Sequence, residues 1–223
     1  MSAKVIVILI ALALQHSECI TRLEIRTQFQ PTLLRLRDLA NVKYLEADRE
    51  YNTLLAQLNK HQTRSKNSTQ TQINNIKQVI DDAKKSPNVT APVLTCLKTQ
   101  EAAANRLSTT SLNNCLSNVN TSSLKVSKEK FNSLSGVASS TANYCQYLNP
   151  LETQLESYAK CLADKVPDLN RQINIVGSEY QKLTNSTLHY NIKCLTDNGG
   201  SILGQIGVIS YEINVCFFAP LPL

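Results

Sequence analysis

The chain has 223 residues, 42% hydrophobic and 18% charged, with a net charge of +6. That is enough for one domain with a real core, and too apolar for wholesale disorder. Six Gly and seven Pro exclude collagen-like or low-complexity architecture, and seven Cys leave one without a partner.

The first residues resolve the odd cysteine. Lys4 precedes an apolar run from Val5 to Leu14, and small residues follow. This is the three-part pattern of a secretory signal peptide, and the run is shorter than the roughly 20 residues a bilayer span needs. Small residues permit cleavage after Ala13 or after Cys19. Cleavage after Cys19 is favoured: it makes 1–19 the signal peptide and 20–223 a single secreted α-helical domain. It also leaves Cys96, Cys115, Cys145, Cys161, Cys194 and Cys216, an even set that reads as three disulfides in an exported protein. Localisation is therefore expected to be secreted and extracellular. The sequons at Asn67, Asn88, Asn120 and Asn185 are candidates for N-glycosylation, the first three in stretches that read as loops.

Residues 20–66 predict a long basic amphipathic helix, with nine Lys/Arg against five Asp/Glu. Leu36, Leu39, Val42, Leu45, Leu54, Leu55 and Leu58 form its apolar stripe, reaching about His61. Arg64–Thr69 reads as a polar break. Ile73, Ile76, Val79, Ile80 and Ala83 make a second stripe, stopped at Ser86-Pro87. A third helix follows over Pro92–Leu107, and Ser108–Ser123 reads as a long polar loop.

Phe131, Leu134, Val137, Ala138, Thr141, Cys145 and Leu148 form the next stripe. Asn149-Pro150 then reads as the cap and first position of a fresh helix. Leu151, Leu155, Tyr158 and Leu162 are its core candidates, and Pro167 is expected to close it. Helical spacing resumes from Leu169 to Cys194, Thr196–Gly200 reads as a stop, and Ser201–Phe218 is a final apolar helix before a Pro-rich tail. The fold class expected is all-α, a disulfide-stapled bundle of about six to seven helices, with 87–218 as the disulfide-linked body. Six cysteines allow 15 pairings. Antiparallel packing of consecutive helices favours Cys96–Cys145 and Cys161–Cys216, leaving Cys115 for Cys194.

No catalytic, cofactor-binding or metal-binding residue stands out. His61 and His189 lack ligands at metal spacing, and no CxxC, HExxH or GxSxG is present. Asp81-Asp82 and Asp48-Arg49-Glu50 read as solvated helix faces. Gly199, Gly200, Gly204 and Gly207 lack the Lys-Ser/Thr of a phosphate loop, and close helix packing is the simpler account of Gly204 and Gly207. Gln205, Glu212 and Asn214 argue against a membrane span, so no transmembrane segment is expected. Nor is nucleic acid expected as a partner. The remaining partners are an unknown extracellular protein or surface.

The signal peptide, the helical body and the Cys-Leu pairs at 96–97, 115–116, 161–162 and 194–195 carry a resemblance. With the abundance of Asn, Ser and Thr, they make residues 25–216 resemble the dipteran secreted TsetseEP-domain family. The Glu-Pro tail of the tsetse protein is missing here. The resemblance implies an insect extracellular protein of gut, haemolymph or reproductive fluid, connected with immune or host-interaction roles. No catalytic residues and no cofactor come with it. The expectation is a non-enzymatic interaction protein. The alternative is a carrier holding an apolar small molecule within the bundle.

Overall fold

The computed structural model describes residues 20–218 apart from Asn88 and Asn118. The leader with Cys19, the sequon Asn88 and the tail after Phe218 lie outside the described residues. The protein is all-α, with no strand among those residues. In chain order the helices are α1 (Arg22–Lys84), α2 (Ala91–Arg106), α3 (Thr110–Ser117), α4 (Thr121–Leu148), a 3₁₀ turn (Glu152–Gln154) and α5 (Leu155–Phe218). That is fewer than six to seven, because three expected breaks are helix interior.

The chain divides into two compact units. One holds 20–52 with 121–184, and the other holds 53–120 with 185–218; α1 and α5 contribute to both.

In the first unit Ile25, Phe29, Leu33, Leu36, Ala40, Ala47 and Tyr51 line the buried face of α1. Steps of three, four and seven keep them on one side of a 3.6-residue helix. Expected core residues Val42 and Leu45 are instead half exposed, since Ala40, Ala47 and Tyr51 hold the inward positions. Arg22 meets the 149–151 segment while Asp48 meets Lys128, so α4 runs antiparallel to α1. Arg22 lies over Tyr158, and Tyr180 donates to the Ala47 carbonyl at 2.6 Å, so α5 runs parallel to α1. Leu124, Phe131, Leu134, Ala138, Leu162 and Ile173 complete the core.

Asn149 closes α4 instead of opening a helix. Its backbone and side-chain N–H groups donate to the Cys145 carbonyl, the acceptor left free by the helix end. Leu151, expected in the core, is 60% exposed. Pro167 sits inside α5. A proline removes one helical N–H, but Val166, Leu169 and Ile173 are buried on either side and hold both turns to the core.

The second unit repeats the arrangement with shorter returning helices. Ile76 and Ile80 of α1 pack with Leu97 and Ala104 of α2 and Ile209 and Ile213 of α5. Ile73, Leu112, Cys115, Leu195 and Ile202 form the adjoining cluster. Residues 64–69 do not break α1. Thr69 is buried, and Ser65 Oγ and Thr69 Oγ1 would lie 3.8 and 3.9 Å from a Cβ on Gly199. Small polar side chains occupy this level, so no apolar stripe marks it. The expected stop at Thr196–Gly200 is likewise continuous helix, with no glycine at positive φ. The loop expected at 108–123 contains α3, anchored by buried Leu112 and Cys115.

Three disulfides form: Cys96–Cys216, Cys115–Cys194 and Cys145–Cys161. The Cys115–Cys194 pairing matches expectation and the other two do not. The expected pairs assumed six or seven antiparallel rods. A continuous α5 running parallel to α1 places Cys216 beside α2, and Cys145 meets the start of α5 directly.

Candidate interaction surface

The first unit ends in a braced tip. Arg22 is the pivot, on the same stripe as Ile25 and Phe29. Its guanidinium donates to the carbonyls of Asn149 (2.9 Å), Pro150 (3.4 Å) and Leu151 (2.7 Å) and lies 3.8 Å from Glu152. Its carbon also sits 5.5 Å from the Tyr158 ring centre, a cation–π contact. One side chain thus serves all three carbonyls of the turn, of which that of Leu151 also accepts the Gln154 N–H. The Cys145–Cys161 bridge ties the two sides of the turn together. Burial pushes the Tyr158 phenol above its ordinary range, and the Arg26 and Arg22 charges pull it partly back. At the entry to α1, Thr21 donates its backbone N–H to Glu24 and holds that carboxyl below the usual range.

Around this pivot apolar side chains face water. Leu23 is 71% exposed and Tyr147 82%, with Tyr144, Leu148 and Leu151 about half exposed or more. Lys165 lies 5.4 Å from the Tyr144 ring centre. Two helix ends and a braced turn that together display two tyrosines and three leucines are suited to burying them against another molecule.

Of the predicted site residues, Cys145 and Cys161 brace this tip and the others fall elsewhere. The six cysteines are in the bridges. Asn67 and Asn185 are exposed on α1 and α5, so Asn67 is on a helix rather than the expected loop; Asn120 is exposed just before α4. Asp81 and Asp82 are exposed, next to Lys84 and Lys85, as a solvated face should be. Asp48 differs: it accepts from Lys128 at 2.6 Å across to α4. That bond, opposed by burial, raises the Lys128 ammonium above its ordinary value, and Tyr44 and Tyr51 lie under it at 5.2 and 5.7 Å. Gly204 and Gly207 are exposed with nothing within 4 Å of a Cβ, so packing inside this chain does not explain them.

In the sequence Arg22 carries one signal of this role: a cation on the apolar stripe of a helix. An open groove of about 220 Å³ between α1, α4 and α5 is rimmed by Lys43, Glu46, Glu50, Asn174, Ser178 and Gln181. No group of three metal-ligating side chains occurs among the described residues. No family model, curated protein or solved structure matches the chain.

Proposed function

We propose that the protein is a secreted, non-enzymatic interaction protein whose first unit binds an extracellular macromolecule through the 144–151 tip. The observation that carries this reading is the exposed apolar set of Leu23 at the start of α1, Tyr147 and Leu148 at the end of α4 and Leu151 in the turn that Arg22 and a disulfide hold. Preorganisation lowers the entropic cost of binding, and aromatic anchors supply much of the affinity at interfaces. Three disulfides fit an extracellular or secreted protein. Cleavage of the leader after Cys19 and glycans on Asn67, Asn88, Asn120 and Asn185 complete the proposal. Its setting is that of the TsetseEP-type proteins it resembles: insect gut, haemolymph or reproductive fluid, in an immune or host-interaction role.

The test is chemical cross-linking of the secreted protein in those fluids, alongside a Leu23→Ser/Tyr147→Ser/Leu151→Ser variant. All three side chains are already exposed, so the variant should fold as the wild type does. Cross-links from residues 144–151 to a macromolecule, lost in the variant, support the reading. Equal capture by both proteins refutes the tip, and an apolar small molecule retained in native mass spectrometry favours a carrier instead.

A further inference from the structure

The bridge between Cys115 and Cys194, in the second unit, is flanked by two asparagines of α5. Asn191 and Asn198 stand three residues before and four after Cys194, which puts them on the same helix face. The Asn198 amide nitrogen lies 3.4 Å from Cys194 Sγ and 3.6 Å from Cys115 Sγ, and it also donates to the Cys194 carbonyl at 2.9 Å. One of its N–H groups thus serves the carbonyl and the other is shared between the two sulfurs. Asn191 is fully buried and donates to the Cys115 carbonyl at 3.0 Å. Its Oδ1 is buried with no hydrogen-bond partner among the described residues. The sulfurs of Cys96–Cys216 and Cys145–Cys161 have no such side-chain donor among the described residues. Each of the three bridges joins a buried cysteine to a partly buried one, so access does not single one out; the Asn198 amide does.

We propose that Cys115–Cys194 is a thiol-exchange site, opened by a low-molecular-weight thiol, and that its opening releases α3. Cys115 is buried and Cys194 only partly so, and the incoming thiolate therefore attacks Cys194 Sγ. A new S–S bond forms there, the Cys115–Cys194 bond breaks, and its electron pair leaves on Cys115 Sγ. A second thiolate then attacks the small-molecule sulfur of the mixed disulfide and displaces Cys194 Sγ. In balance, two small thiols are oxidised to one disulfide, and the bridge is reduced to two thiols that take up their two protons. A hydrogen-bond donor favours a charged sulfur over a neutral one. Asn198, in reach of both sulfurs, therefore assists both departures.

The element that the bridge holds is small. α3 has eight residues and two buried side chains, Leu112 and Cys115. A helix of that length is not stable by itself. With the bridge open, only Leu112 and the Asn191 hydrogen bond still fasten it to α5 and its neighbours. Its release uncovers Ile73, Leu195 and Ile202, the apolar side chains clustered with it, and lets water reach Asn191 Oδ1. The 144–151 tip is held by a different bridge, so this inference stands or falls separately from the proposed function.

Partial reduction of the secreted protein with millimolar glutathione, quenched by alkylation and mapped by mass spectrometry, tests it. In the wild type Cys115 and Cys194 should be alkylated at least fivefold faster than the other four bridged cysteines. Amide exchange over residues 110–117 should quicken in the species so opened. Asn198→Asp keeps the size of the side chain without its N–H groups, and Asn198→Leu removes the polar group altogether. In both variants the lead should fall below twofold while the other two bridges react as in the wild type. The wild-type order decides even where a variant is destabilised, because general unfolding speeds all three bridges together. Four results would overturn the inference: no bridge opening in glutathione, another bridge opening first, a lead that survives both substitutions, or an opened bridge that leaves exchange over 110–117 unchanged.

Discussion

Tyr180 shows how one side chain converts burial into a pH response. It is buried, and its hydroxyl donates to the Ala47 carbonyl at 2.6 Å, joining α5 to α1. Burial raises the phenol above its ordinary value near 10, and Glu50 pushes the same way. Tyr158 is raised by burial too, and Lys128 by its bond to Asp48. Each of these groups keeps its proton in the fold at a pH where the unfolded chain has begun to lose it. Their contribution is therefore intact below about pH 10 and lost as pH rises through the raised values. Urea midpoints should fall steeply between about pH 10 and 12. Tyr180→Phe should cost about 1 kcal/mol at neutral pH, for the lost hydrogen bond, and decline less steeply above pH 10. Parallel curves for the two proteins would show that Tyr180 does not titrate with unfolding.

At the level of elements, the helical class, the ends of α2 and most of the stripe around Phe131 are legible, although Val137 and Leu148 of that stripe are 47% and 51% exposed. The long helices are not. Residues 64–69 read as a break because Thr69 and Ser65 pack where a leucine would announce a core. Pro167 and Gly199-Gly200 read as stops, since local propensity favours ending a helix there, yet neighbours such as Leu169, Ile173, Leu195 and Ile202 are buried and override it. The tip departs from its sequence pattern for the opposite reason: Asn149-Pro150 has the composition of a helix start, while Arg22, far away in sequence, donates to its carbonyls. Glycine supplies the check on how helical propensity acts here. Gly136 lies inside α4, exposed, with nothing within 4 Å of a Cβ and no positive φ. Gly136→Ala should stabilise by about 0.5–1 kcal/mol, read as a rise in urea midpoint at unchanged slope. A loss of stability would mean that α4 needs the glycine for a contact the fold does not contain.

For the molecule as a whole, the bridges are nested. Cys145–Cys161 lies within Cys115–Cys194, which lies within Cys96–Cys216, with sequence separations of 16, 79 and 120. Among the described residues the first bridged cysteine is Cys96, so α1 is held by its buried face together with the Arg22, Asp48–Lys128 and Tyr180 contacts. Ranked by separation, the outer bridge would matter most. Nesting changes that order, because a bridge constrains only the unfolded chain that the others leave free. With the two inner bridges closed, Cys96–Cys216 restrains about 40 residues, and with the inner and outer bridges closed Cys115–Cys194 restrains about 60. The loop-entropy relation then gives about 3 kcal/mol for the inner bridge and about 4 kcal/mol for each of the other two. The Cys145→Ser/Cys161→Ser variant should therefore lose least stability in urea. The Cys96→Ser/Cys216→Ser and Cys115→Ser/Cys194→Ser variants should lose nearly equal amounts, with the middle pair no less important than the outer. If the outer pair instead costs clearly more than the middle one, the unfolded chain does not behave as nested loops, and residual structure around α3 and Leu112 becomes the explanation to test by hydrogen exchange.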